Sequence, residues 1–243
     1  MQITPLGDSA IVVRLRERLD DAPEETLSAV LAAQHHLEAA QLPGVIEIAP
    51  AYITVAVFYD PVSAVKAGAP PDDVFGWYEQ KIHQALPTAR SPGATRGPAG
   101  EENGRDCIEI PVCYEAEFAP DLDDVARGAG ATRQEVIELH SATEYRVHCV
   151  GFTAAFPFLG GLDPRLATSR RATPRKEIPA GSVGIGGAQT GIYPVKSPGG
   201  WNIIGRTPLR LFDPHKNPPA LLRAGDRVRF RTITRAQFEG FTK

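Results

Sequence analysis

Gly181-Ser182-Val183-Gly184-Ile185-Gly186-Gly187-Ala188-Gln189-Thr190-Gly191-Ile192-Tyr193-Pro194 is the stretch on which the fold turns. Short apolar runs alternate with glycine, and eight glycines fall between positions 181 and 205. The same texture continues through Trp201-Asn202-Ile203-Ile204, 209–212 and 227–230, and no long amphipathic helix follows Tyr145. Many short strands joined by glycine-rich turns predict a β-barrel or sandwich. Gly184-x-Gly186-Gly187 opens no long helix, so it fails the context of a dinucleotide fingerprint, and no GxxxxGK[ST] phosphate loop occurs. Two readings of these glycines stay open. They turn strands at sheet corners, or they let backbone N–H groups approach a ligand, with Gln189, Thr190 and Tyr193 adding polar contacts.

Upstream the periodicities change. Residues 3–15 read as a first strand, and Asp21-Ala22-Pro23-Glu24 as a helix start with Asp21 as cap. Leu27, Val30, Leu31 and Leu37 share one helical face, ended by Leu42-Pro43-Gly44. Strands over 45–48 and 52–59 and a helix over 71–86 complete a β-α-β-β-α order, most of a ferredoxin-like α+β unit. Residues 90–104 hold four glycines and two prolines with little apolar content, a linker composition. The predicted organisation is an α+β chain: domain 1–89, a Pro/Gly-rich linker 90–105, and a β-rich domain 106–243. The second domain opens with a strand over 107–112 and helices over 122–128 and 132–142.

The chain has 243 residues, of which 42% are hydrophobic; 26 Lys+Arg against 29 Asp+Glu give a net charge of -3. That balance does not suit bulk phosphate neutralisation, so nucleic acid is not an expected partner. No apolar run reaches the ~18 residues of a membrane span, and the N-terminus lacks a basic, then apolar, signal. A cytoplasmic protein without a membrane partner is expected. Cys107, Cys113 and Cys149 form no CxxC pair and read as core thiols, so no metal site is expected. Residues 122–139 look like a helix-turn-helix, but Asp121, Asp123, Asp124, Glu135 and Glu138 would repel phosphates.

Arg165, Arg170, Arg171, Arg175 and Lys176 form a basic cluster beside the glycine-rich stretch. Such a cluster is either a solvated surface or a site for a carboxylate or phosphate, which guanidinium groups grip bidentately. Ser197-Pro198-Gly199-Gly200-Trp201 reads as a hairpin with a packed Trp or as a pocket wall, with Arg206 at its lip. His140, His148 and His215 lie far apart, and no catalytic ordering of Ser, His and Asp is legible. The catalytic residues are therefore unassigned.

These residues resemble a known family, that of allophanate hydrolase subunit 1, KipI-like proteins and the B subunit of bacterial 5-oxoprolinase. The resemblance rests on Phe156-Pro157-Phe158-Leu159-Gly160-Gly161-Leu162-Asp163-Pro164-Arg165, Arg170-Arg171-Ala172-Thr173-Pro174-Arg175, Gln189-Thr190-Gly191-Ile192-Tyr193-Pro194, Ser197-Pro198-Gly199-Gly200-Trp201 and Gly205-Arg206-Thr207-Pro208. Where the family reads Gly-Phe-x-Pro-Gly-Phe, this chain has Gly151-Phe152-Thr153-Ala154-Ala155-Phe156, and Ser169 replaces a usual Pro. The resemblance implies a C-terminal cyclophilin-like β-barrel behind a ferredoxin-like N-terminal domain. It implies one component of an ATP-dependent complex that opens the lactam of 5-oxo-L-proline to L-glutamate. Its partners would be an allophanate hydrolase subunit 2-like protein (the 5-oxoprolinase C subunit) and the 5-oxoprolinase A subunit. In that picture Arg171 or Arg175 holds a carboxylate or phosphate, and Gln189 and Tyr193 bond the substrate. Backbone N–H groups of Gly186 and Gly187 stabilise developing charge, and Thr190, Trp201 and Arg206 line the pocket. Two other roles fit the same motifs: a KipI-like inhibitor of a sensor histidine kinase, and half of a urea-carboxylase-like carboxyltransferase.

Overall fold

The computed structural model describes residues 1–18, 23–87 and 106–241. The chain divides into two compact units, Met1–Asn103 and Gly104–Lys243. The expected linker 90–105 and the expected cap Asp21 lie outside the described residues.

In the first unit the strand expected over 3–15 is two strands, β1 (Gln2–Pro5) and β2 (Ala10–Arg14). Gly7 adopts φ 67° between them and Leu6 N–H donates to Ala10 O at 2.8 Å, which reverses the chain into a hairpin. α1 (Pro23–Ala39) follows and buries Leu27, Val30, Ala33 and Leu37, spaced three and four apart on one face. β3 (Val45–Ala51) and β4 (Thr54–Tyr59) come next, with Val55, Val57 and Tyr59 alternating inward along β4. α2 (Pro61–Lys66) was not legible from apolar spacing. It is set by Asp60, whose carboxylate accepts N–H bonds from Val62 at 3.2 Å and Ser63 at 3.0 Å. α3 (Val74–Ala85) closes the unit and buries Tyr78 and Ile82. The strand order β1-β2-β4-β3 is antiparallel throughout. β2 and β3 therefore run parallel on either side of β4 and are joined by α1, a split β-α-β arrangement.

The second unit contains β5 (Ile108–Val112), α4 (Leu122–Ala129), α5 (Arg133–Ala142), β6 (Glu144–Val150) and β7 (Pro157–Gly160). β8 (Arg175–Ile178), β9 (Ser182–Gly186), β10 (Gln189–Ile192), β11 (Ser197–Gly199) and β12 (Asn202–Arg206) follow. β13 (Arg227–Thr232) and α6 (Arg235–Gly240) complete it. The strands run β5-β13-β6-β7-β10-β9-β12, antiparallel except for β13 with β5, while β8 and β11 pair separately. The expected closed barrel is corrected here. β5 and β12 share no ladder, and one isolated bridge, Cys113 with Arg206, spans the gap between them. The run at 209–212 is likewise no strand: Phe212 makes only an isolated bridge to Ala220.

The principal core gathers Ile110, Val112, Tyr145, Val147, Ile185, Ile192 and Phe230 from the sheet against Leu122, Val125 and Val136 from the helices. α4 ends at Gly130 in the left-handed conformation, and α5 begins with a reciprocal Thr132–Glu135 capping box. The expected succession of a short helix, a glycine turn and a second, capped helix is thus present. Its exposed polar side chains are paired with one another, Arg133 to Asp123 at 2.8 Å and Gln134 to Glu138 at 2.7 Å.

Candidate functional site

Period-two alternation splits the glycine-rich hairpin into two faces. On one face Val183, Ile185 and Ile192 enter the principal core. Thr190 joins them, fully buried, with its hydroxyl 2.9 Å from His140 Nε2 and donating to Gly184 O at 3.0 Å. Because that hydroxyl proton is committed to Gly184, Thr190 accepts from His140 Nε2–H, and His140 Nδ1 accepts from Tyr114 OH at 2.8 Å. The imidazole is stacked on Phe230 with centroids 4.4 Å apart, and burial pushes its pKa down to about 3. It is a neutral core histidine.

On the other face Gly184, Gly186 and Gly191 form a floor beneath Trp201. A Cβ on Gly186 would lie 2.5 Å from Trp201 Cε2, and one on Gly191 3.0 Å from Cζ3. Trp201 belongs to a second buried cluster with Phe156, Ile178, Tyr193 and Ile203. The Phe156 ring meets Tyr193 edge-on at 5.0 Å and Trp201 at 5.4 Å. Burial raises the Tyr193 phenol above its ordinary value, although the Trp201 backbone N–H bonds to its oxygen. The Arg170 guanidinium sits 5.9 Å from the Trp201 ring centroid.

Beside this cluster lies a carboxylate that the sequence does not advertise. Asp121, 2% exposed at the start of α4, accepts from Arg175 Nη1 at 2.8 Å and Nη2 at 2.7 Å, and from Arg171 Nη1 at 2.8 Å. Its Oδ2 also accepts the Ile203 N–H at 2.7 Å, and its own N–H donates to Ile203 O at 3.0 Å. One side chain thereby ties α4, β12 and the segment leading into β8. Pairing with Asp121 raises the Arg175 pKa. Arg171 is anchored separately, its backbone N–H donating to Gly200 O at 2.7 Å.

The expected site residues therefore divide. Arg171, Arg175, Gly186, Tyr193 and Trp201 lie in and around the second cluster. Gln189, half-buried on β10, pairs with Gly186. Gly187 takes the hairpin turn at φ 66°, and its N–H already donates to Thr168 O at 2.7 Å. Arg206 stands at the far end of β12, ~13 Å along the strand from Asn202 at ~3.3 Å per residue, where its Nε donates to Ala180 O at 2.9 Å. Arg165 is held bidentately by Asp163 and lines a separate 470 Å³ cleft with Glu135, Glu138 and Leu139. The partner of the arginine pair escapes sequence reading because Asp121 lies 50 and 54 residues from Arg171 and Arg175. Among the described residues no group of side chains has the composition of a metal site.

The family described as carboxyltransferase domain, subdomain C and D, matches residues 1–222. The chain belongs to this family. It is 41% identical to the 5-oxoprolinase B subunit of Bacillus subtilis, over 99% of this chain and 96% of that protein. It is 57% identical to the 5-oxoprolinase B subunit of Haemophilus influenzae, over 51% of this chain and 58% of that one. Among solved structures, that of TTHA0988 superposes with a TM-score of 0.72 at 34% identity. That match covers 92% of this chain and 40% of the longer one, so the chain spans less than half of that relative. The architecture shared with that structure is the mixed helix and mostly antiparallel sheet described above.

Proposed function

We propose that this chain is the B subunit of a 5-oxoprolinase, acting in a cytoplasmic complex that opens 5-oxo-L-proline to L-glutamate. The observation that carries the reading is the 41% identity to a protein of that name across nearly the full length of both chains. Residues 1–89 and 106–243 act as its two domains. Its partners in the complex are a 5-oxoprolinase A subunit and an allophanate hydrolase subunit 2-like protein, the C subunit.

A lactam is a resonance-stabilised amide, so its carbonyl carbon is a poor electrophile. ATP, used by the complex, supplies the activation. Transfer of its terminal phosphoryl group to the amide oxygen releases ADP and leaves carbon open to water. Addition of one water gives a tetrahedral adduct that expels the amine, breaking the C–N bond and leaving an acyl phosphate. A second water displaces phosphate, giving the γ-carboxylate beside the free amine of glutamate. Every species on this path keeps the α-carboxylate. The arginines around Trp201 suit that group, and Gln189 and Tyr193 suit the ring's polar edge. Gly187 is poorly placed to bind developing charge, since its N–H is occupied by Thr168.

The test is glutamate release from 5-oxo-L-proline and ATP by a mixture of this chain with its candidate partners, omitting each in turn. Activity that disappears without this chain is the expected result. A complex that assembles and releases no glutamate overturns the reading.

A further inference from the structure

The two arginines at Asp121 are not equivalent. Arg175 places two guanidinium nitrogens on one carboxylate, a closed fork. Arg171 reaches the same carboxylate through Nη1 alone, and its Nε is buried without a hydrogen-bond partner. Its guanidinium, 35% exposed as a side chain, is therefore less fully engaged within the chain than that of Arg175. Two further buried oxygens without partners belong to the segments flanking the same aromatic cluster: Thr153 Oγ1 in the turn before Phe156, and Ser197 Oγ on β11. Charge points the same way. Two guanidinium groups against one carboxylate leave a residual charge of +1, and Arg170 beside Trp201 adds to it. The Arg171 and Arg175 side chains are only 35% and 28% exposed, so that charge is weakly screened by solvent.

We infer that Arg171 is the residue that binds an anionic group, a carboxylate or phosphate of a small molecule, and that Asp121 and Arg175 are positioning residues that fix it. This deepens the reading of the chain as part of a 5-oxoprolinase and rests on it for the identity of the ligand. Asp121 has a second task as anchor of the Ile203 backbone, so its loss disturbs both fold and site, whereas loss of the Arg171 side chain beyond Cβ disturbs the site alone.

The experiment uses the full chain, titrated calorimetrically with inorganic phosphate and with 5-oxo-L-proline, beside thermal melts of each variant. Arg171→Ala is expected to weaken anion binding at least tenfold while its melting temperature stays within a few degrees. Arg175→Lys, which keeps the charge and loses the fork, is expected to weaken binding and to lower the melting temperature. Asp121→Asn is expected to do the same more strongly, and if it does not fold the two arginine variants still decide. Equal affinity in Arg171→Ala and the parent chain overturns the inference, as does a folded parent that binds neither anion. Phosphate binding that depends on Arg171, together with an assembled but inactive complex, leaves the anion site standing and removes the oxoprolinase reading.

Discussion

Gly186 and Trp201 are in such contact that a single added methyl group would stand 2.5 Å from indole Cε2, inside any real carbon contact. Gly186→Ala must therefore push Trp201 off its floor or bend β9. Overpacking of this kind costs about 1–3 kcal/mol. The expected outcome is a destabilisation of that order in denaturant unfolding, with a red-shifted emission from Trp201 as it meets water. An unchanged midpoint and spectrum would refute the floor.

The neutral His140 gives a second expectation, in pH. Its folded pKa of about 3 lies below the ordinary 6.5, so below pH 6.5 the unfolded chain binds a proton that the folded chain refuses. Stability is then complete above pH 6.5 and falls as pH drops toward 3, by up to about 1.4 kcal/mol per pH unit. Urea midpoints of the parent and of His140→Gln between pH 7 and pH 4 measure it. The variant's midpoint should vary less steeply across that window, and equal slopes would contradict the assignment.

Thr190 carries a third. Thr190→Val keeps the shape but removes the acceptor for His140 Nε2–H, leaving a buried donor without a partner. A loss of about 1–3 kcal/mol is expected. Tyr114→Phe, which strips the donor from Nδ1, should cost a similar amount. The double variant should cost less than the sum, because both bonds belong to one network. Strict additivity would separate the two bonds.

Ala155 predicts a gain instead. It holds φ 64° in the turn before Phe156, a left-handed conformation that an L side chain adopts at a cost of roughly 1–2 kcal/mol. Glycine at that position removes this strain, offset in part by the entropy it adds to the unfolded chain. Ala155→Gly should raise stability by about 0.5–1 kcal/mol, read as a small upward shift in melting temperature. A lower melting temperature would mean that the buried methyl group matters more than the backbone.

Local signals made α1, α3, α4 and α5 and many of the strands legible, and left α2, α6, β6 and β8 unread. α5 is announced by Thr132 and Glu135 three residues apart, and α1 by its apolar spacing. β6 is buried on both faces at Tyr145, Val147, His148 and Cys149, so it shows no clean alternation. β8, with its charged Arg175-Lys176-Glu177, reads as surface rather than strand. At the site, aromatic and arginine positions were readable as types, since a Trp after Pro-Gly-Gly and an Arg pair before Pro are unusual locally. Their grouping was not. The facing of Thr190 toward His140 and of Gly191 toward Trp201 depends on strand register, and Asp121 depends on a contact more than fifty residues long in one of its two pairs. The glycines near 186 were open to a ligand-cradling reading because absence of a side chain serves close approach of any kind, and here the approaching group is an indole.

β13 lies between β5 and β6, parallel to the first and antiparallel to the second, and it follows the last residue matched by the family at 222. During synthesis the first strand of this unit leaves the ribosome more than a hundred residues before the neighbour it needs. Until Val228 and Phe230 emerge, β5 and β6 have no strand to join them, and the imidazole of His140 lacks the ring it stacks on. Completion of this sheet is therefore late in chain order, and a polypeptide released short of residue 227 would present unpaired strand edges to its neighbours in the cell.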